Sequence, residues 1–257
     1  MARKSDYIAV FDSGLGGISV LRALTAHLPN ERFLYFGDSA NAPYGSRPTE
    51  QIRQLTLCAA EQLFRRGCKA LVVACNTATA AAIEELRRQW PEKIIIGIEP
   101  ALKLAADRHP GGRIAVMATE ATLRESKFSS LLGRFSDTCT VIPLPSPGLV
   151  EFIETGRTDA PECLALLHKE LDPLVGQLDA VVLGCTPYPF LRRSIAGILG
   201  PEVELLDGGE GTARETQRRL QEANLLHTGP GSVILESSLP TRENLERMAN
   251  LLHKNDK

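Results

Sequence analysis

Short runs of consecutive apolar residues alternate with longer stretches of helical period along almost the whole chain, and few architectures accommodate that pattern. YIAVF (7–11), RFLYF (32–36), KALVVA (69–74), KIIIGI (93–98) and GGRIAVMA (111–118) read as strands. So do CTVIPL (139–144), DAVVLG (179–184), VELL (203–206) and SVILES (232–237). Residues 15–28, 49–67, 77–90, 119–132, 188–199, 209–226 and 241–254 carry helical spacing between them. Strands apolar on both faces need cover on both, and helical links supply it. The spacing therefore predicts an α/β fold of mostly parallel sheet flanked by helices.

The pattern is doubled. ALVVACNTAT (70–79) aligns without gaps to AVVLGCTPYP (180–189), 110 positions on, and YIAVFDSG (7–14) echoes RIAVMATE (113–120) at 106. Two similar lobes facing each other place one cysteine, Cys75 or Cys185, on each wall of a cleft. Parallel α/β sheets bind ligands at the carboxyl ends of their strands. Asp12-Ser13, Cys75-Asn76-Thr77, Thr119 and Cys185-Thr186 all stand at such ends, a polar ring holding two thiols.

Two thiols reaching one carbon from opposite sides suit proton removal on one face and return on the other. A free cysteine titrates near 8.5, and a helix start lowers that value toward the working range. Both cysteines are expected just before helices, one as thiolate and its partner as thiol, with Asp12 orienting or deprotonating one of them. The hydroxyls and amides of Ser13, Asn76, Thr77, Thr119 and Thr186 are donors suited to carboxylates. This scheme needs no cofactor. Taken singly, each of the six cysteines reads as a buried, reduced thiol that packs as a small hydrophobe. Only the matched positions of Cys75 and Cys185 favour chemistry there.

Composition closes other routes. The net charge is −2 and the 29 basic residues are scattered, which gives no electrostatic case for nucleic acid. The apolar run at Tyr7–Phe11 is too short for a signal-peptide core or a membrane span, so the expected compartment is the cytoplasm. No C-x-x-C or H-x-x-x-H spacing suggests a metal. SGLGGIS (13–19) offers a competing dinucleotide-binding turn, with Asp38 as ribose partner, though the third glycine of the fingerprint is missing. Asp12-Ser13 also reads as an ordinary N-cap, and Thr122 as a solvated first-turn residue. A non-catalytic two-lobed amino-acid-binding module explains the cleft but not paired thiols.

FDSGLGGISVLR (11–22), YFGDSANAPYGSRP (35–48), VVACNTATA (72–80), IEPA (98–101), ATEATLRES (118–126), LVEFIETG (149–156) and LGCTPYP (183–189) together resemble the glutamate racemases, of the aspartate/glutamate racemase family. The resemblance implies a first lobe from residues 1–98 plus the returning segment 207–257, a second lobe from 99–206, and the site between them. It implies cofactor-independent interconversion of L- and D-glutamate, supplying D-glutamate for peptidoglycan, by a homodimer. A related racemase acting on aspartate or another amino acid is the alternative, because one methylene of pocket length separates the two substrates. Cys75 and Cys185 would be the two bases, with Asp12 assisting Cys75 and Glu151 on the Cys185 side. Asp12, Ser13, Pro43, Tyr44, Gly45, Asn76, Thr77, Thr119, Thr122 and Thr186 would contact substrate, with Pro187 beside them. Some members carry an N-terminal extension linked to activation by a cell-wall precursor; with six residues ahead of the first strand, that control is not expected here.

One position departs from the family. Its usual G-C-T-H motif reads G-C-T-P here, so Pro187 replaces a histidine thought to assist the second cysteine. Proline suits a first helical position, and Thr186 is expected to cap that helix, so the backbone should persist. The imidazole is lost, and none of the five histidines lies within ten positions of Cys185. Unequal kinetics in the two directions are the expectation.

Overall fold

Residues 2–124, 132–135 and 137–253 are described by the computed structural model. Strands β1 (Ile8–Asp12), β2 (Arg32–Gly37), β3 (Ala70–Val73), β4 (Ile94–Gly97) and β9 (Ser232–Ser237) form one sheet, ordered β4-β3-β1-β2-β9. Strands β5 (Arg113–Ala118), β6 (Thr140–Pro145), β7 (Ala180–Leu183) and β8 (Glu204–Asp207) form a second, ordered β6-β5-β7-β8. Every pairing is parallel. Read from the opposite edge, the second sheet repeats the first four strands of the other.

The repeat extends to register. Ile8 pairs with Ala70, and Ala70 with Ile94. In the second sheet Ile114 pairs with Ala180, and Ala180 with Glu204. These are the partners that the two sequence offsets demand. The cysteines that follow β3 and β7 therefore occupy equivalent places. β9 is extra: it adds to the first sheet beside β2, bringing the C-terminal segment back to that lobe.

Helices α1 (Ile18–His27), α2 (Thr49–Arg65), α3 (Asn76–Gln89), α4 (Leu102–Arg108) and α5 (Glu120–Arg124) lie in the first half. Helices α6 (Leu149–Glu154), α7 (Pro161–Leu171), α8 (Arg192–Leu199), α9 (Gly209–Glu222) and α10 (Arg242–His253) follow in the second. All residues of β1, β3 and β7 are buried, as strands covered on both faces must be. One apolar core joins the inner faces of both sheets: Ile8 and Val10 share it with Leu21 of α1, Ile153 of α6, Leu167 of α7 and Ile195 of α8. The outer face of the first sheet packs on α2 and α3, through Phe11, Ile52 and Ile83. That of the second packs on α4, through Val116 and Leu102. Each such buried branched or aromatic side chain contributes about 1.5–3 kcal/mol.

The helices differ in several places from the periodic reading, which left α7 unassigned although Cys163, Leu167 and Leu171 are buried at four-residue spacing along it. Residues 188–199 are not one helix but a four-residue 3-10 turn, Tyr188–Leu191, followed by α8. Of the expected 119–132 helix, Glu120–Arg124 is helical, and 125–131 lies outside the described residues. Helices α4, of seven residues, and α6, of six, had no periodic signal, because neither completes the two turns over which a period shows. No helix among the described residues is long and apolar enough to cross a membrane.

Candidate active site

Cys75 and Cys185 line one cavity of about 250 Å³ at the carboxyl ends of both sheets. Cys75 leaves β3 with extended backbone and is the N-cap of α3, its Sγ accepting the Ala78 N–H at 3.4 Å. Ser13 Oγ lies 3.3 Å from the same sulfur. Cys185 leaves β7 through Gly184, where a Cβ would meet the Met117 carbonyl at 2.8 Å, so the strand end admits no side chain there. No long helix starts behind Cys185; the short turn Tyr188–Leu191 follows it. The expected pair of helix starts is therefore corrected to one.

The direction of the thiol shifts is also corrected. Burial pushes the Cys75 thiol up to about 11, and the nearby Asp12 charge adds to that. The Ser13 hydroxyl and the Ala78 and Ser13 N–H groups pull the other way without prevailing. Cys185 is held well above its ordinary value, first by burial and then by the charges of Cys75, Asp12 and Glu154. Desolvation of a small anion outweighs the few dipoles aimed at it.

Ser13, Pro43, Tyr44, Gly45, Thr77, Thr119, Glu151, Thr186 and Pro187 of the sequence reading all line this cavity. Asp12, Asn76 and Thr122 do not; they lie buried behind its wall. Asp12 Oδ1 accepts the Gly14 N–H at 2.8 Å, and Oδ2 accepts the Thr186 hydroxyl at 3.0 Å. Burial raises the Asp12 carboxyl above its usual range against these bonds. Thr186 thus caps nothing: its hydroxyl reaches across to the other lobe, and its carbonyl accepts from Ser19 Oγ at 2.8 Å. Asn76 Oδ1 is a buried acceptor without a partner among the described residues. Thr122, read as a solvated residue, is 4% exposed.

Glu154 was missed. It lines the cavity one helical turn beyond Glu151 on α6, and its Oε1 accepts the Leu15 N–H at 2.7 Å. Burial pushes its carboxyl up to about 7, with the Asp12 charge adding to the rise. Glu151 is exposed at the same cavity. The three-residue spacing of the two acids in LVEFIE was the signal available, since it sets both on one helix face.

The dinucleotide reading falls here. A Cβ at Gly14 would sit 2.4 Å from Glu154 Oε1, one at Gly16 2.5 Å from the Pro187 ring, and one at Gly17 2.6 Å from Asp12 Cβ. Gly14 and Gly16 thus allow the first lobe to press against the second, and Gly17 allows the turn to close on Asp12 within the first. The N-cap of α1 is Gly17, so Asp12-Ser13 does not cap it. Asp38 is occupied as well: it accepts the Tyr44 hydroxyl at 2.7 Å and the Asn41 amide at 3.0 Å, and so holds the Pro43-Tyr44-Gly45 loop at the cavity.

Twin parallel α/β lobes, with a thiol at the end of the matching strand in each and acids between them, define a two-lobed α/β isomerase. Residues 18–216 match the Asp/Glu/hydantoin racemase family. A glutamate racemase from Clostridium perfringens is 44% identical over 252 residues, covering 97% of each chain. The crystal structure of glutamate racemase from Thermus thermophilus in complex with β-chloro-D-alanine superposes with a TM-score of 0.81 at 35% identity, covering 98% of this chain and 94% of that one. The crystal structure of a Francisella tularensis glutamate racemase in complex with D-glutamate superposes at 0.84 with 26% identity, covering 99% and 96%. This chain belongs to the Asp/Glu/hydantoin racemase family, among its glutamate racemases.

Proposed function

We propose that this chain interconverts L- and D-glutamate without a cofactor, with Cys75 and Cys185 as the two acid/base groups. The observation that carries the reading is the shared cavity, lined by one thiol from each lobe at equivalent strand ends. One sulfur, as thiolate, takes the α-proton from its face, and the other, as thiol, returns a proton to the opposite face. After one turnover the two protonation states have exchanged. The reverse reaction then starts from the product form of the enzyme.

The raised thiols need a source of positive charge. Among the described residues the cavity lining holds no lysine, arginine or histidine, but it includes Glu120, Glu151 and Glu154. The substrate ammonium is then the cation that favours a thiolate, and the buried Asp12 and half-buried Glu154 attract it. Hydroxyls and main-chain N–H groups would take the carboxylates, and they stabilise the charge that spreads onto the α-carboxylate as the proton leaves.

Support for the substrate comes from the glutamate racemases that this chain resembles, one of them bound to D-glutamate. We further infer the division into 1–98 plus 207–257 and 99–206, assembly as a homodimer, a cytoplasmic location and supply of D-glutamate for peptidoglycan. The motif resemblance supports these four readings.

Polarimetry by circular dichroism on both glutamates and both aspartates, without added cofactor, tests the activity. In deuterated water, Cys75→Ser and Cys185→Ser should each block α-proton exchange from one enantiomer more than from the other. Equal exchange of both enantiomers in both variants would overturn the two-thiol assignment.

A further inference from the structure

Three hydroxyls meet in a closed triangle where the lobes touch. Thr77 Oγ1 lies 3.1 Å from Thr119 Oγ1 and 3.1 Å from Thr122 Oγ1, and the last two are 3.0 Å apart. Thr77 belongs to the first turn of α3 in one lobe. Thr119 follows β5, and Thr122 sits within α5, in the other. Thr77 and Thr119 line the cavity, whereas Thr122 stands behind them, buried. The Thr122 N–H also donates to Thr119 Oγ1 at 3.2 Å.

Each hydroxyl has one proton and two lone pairs. If all three protons circulate within the triangle, the cavity meets only lone pairs, which repel a carboxylate. For the two cavity-facing hydroxyls to act as donors, the proton donated within the triangle must come from the third hydroxyl. Thr122 can supply it. Its hydroxyl is buried behind the cavity wall, and among the described residues the hydroxyl oxygens within its reach are those of Thr77 and Thr119. Its main-chain N–H occupies one lone pair of Thr119 as well, which turns the Thr119 proton outward.

We infer that Thr122 is a positioning residue that directs the Thr77 and Thr119 hydroxyl protons into the cavity, making both donors to a substrate carboxylate. This deepens the racemase reading and rests on it for the identity of the carboxylate. With valine at 122 the shape is kept but the third proton is gone. The hydrogen bond left to the pair, between Thr77 and Thr119, takes one of their own two protons, so the cavity keeps one donor where it had two.

The test compares the full-length wild type with Thr122→Val and Thr122→Ser, by calorimetric titration with D-glutamate and by racemase kinetics. Thr122→Val should weaken D-glutamate binding about tenfold, the effect of one hydrogen bond to a charged group, with KM rising more than kcat falls. Thr122→Ser, which keeps the hydroxyl, should bind within about twofold of wild type on the same reasoning. If valine fails to fold, Thr122→Ala gives the same comparison. Unchanged binding in the hydroxyl-free variant, or equal weakening in the serine variant, overturns the inference. A wild type that binds D-glutamate but does not racemise it would overturn the activity and leave the binding comparison standing.

Discussion

Thr186 and Asp12 join the two lobes through one hydrogen bond, from Thr186 Oγ1 to Asp12 Oδ2 at 3.0 Å, one residue beyond Cys185. Both residues are buried. The bond ties the second thiol's strand end to the acid that lies behind the first thiol's neighbour, Ser13.

Cutting that bond leaves a buried carboxylate short of a donor. Thr186→Val should destabilise the protein by about 1–3 kcal/mol, while Thr186→Ser should lose far less. The Asp12 carboxyl, already raised by burial, should rise further. Urea denaturation of the two variants side by side checks the difference; equal losses would refute it.

Glu154 makes stability depend on pH. Its carboxyl titrates near 7 in the folded protein and near 4.5 in the ordinary range. The folded state therefore binds more protons across that window, and stability falls as pH rises through it, by about 3 kcal/mol in all. Glu154→Gln cannot ionise, so its stability should change less between pH 4.5 and 7 and should exceed that of the wild type at pH 8. Denaturant midpoints measured at pH 5 and pH 8 decide this. A parallel pH dependence in the two proteins would exclude the assignment.

Pro187 lines the cavity beside Cys185, with the Gly16 backbone against its ring. Racemisation has an equilibrium constant of one, so kcat/KM must be equal in the two directions whatever stands at 187. Any inequality is therefore confined to kcat and KM, changing together. Pro187→His should raise kcat in one direction by about a hundredfold, the lower end of what a restored proton-transferring group contributes. KM in that direction should rise in proportion to any gain that the other direction does not share. Full progress curves from each enantiomer measure all four constants, and four unchanged constants would refute a role for position 187.

Lys69 is fully buried with Glu31, its Nζ 2.6 Å from Glu31 Oε2. It also donates to the carbonyls of Lys4 and Leu225, and Glu31 Oε1 accepts the His227 N–H. This cluster fastens both ends of the first lobe beneath β3. Lys69→Met should cost about 3–5 kcal/mol, because it strands a buried carboxylate, and Lys69→Met with Glu31→Leu should recover most of the loss. Thermal unfolding of the single and double variants checks the recovery.

Much of the architecture was legible because it follows from local pattern. Strands β1, β3, β5 and β7 are uninterrupted apolar runs, and a parallel sheet is what such runs require. The 106 and 110 offsets carried the lobe equivalence through to residue register. Helices α4 and α6 were not legible, since seven and six residues are too few to display a period; α7 was missed although Cys163, Leu167 and Leu171 carry one. The Gly-rich turn read as a dinucleotide-binding turn, but Gly14 and Gly16 approach Glu154 and Pro187 of the other lobe, distant in sequence.

Within the site, the chain alone determined which residues stand at strand ends, because a strand's last residue follows from where its apolar run stops. That was enough to single out Cys75 and Cys185. Only the tertiary structure chose Glu154 from the two acids of LVEFIE, through the docking of α6 against the Leu15 N–H. It also decided that Thr122 lies behind the cavity and that both thiols are raised rather than lowered. The reason is physical: ionisation depends on how completely water is removed from a group, and that is settled by residues brought from across the fold, not by neighbours along the chain.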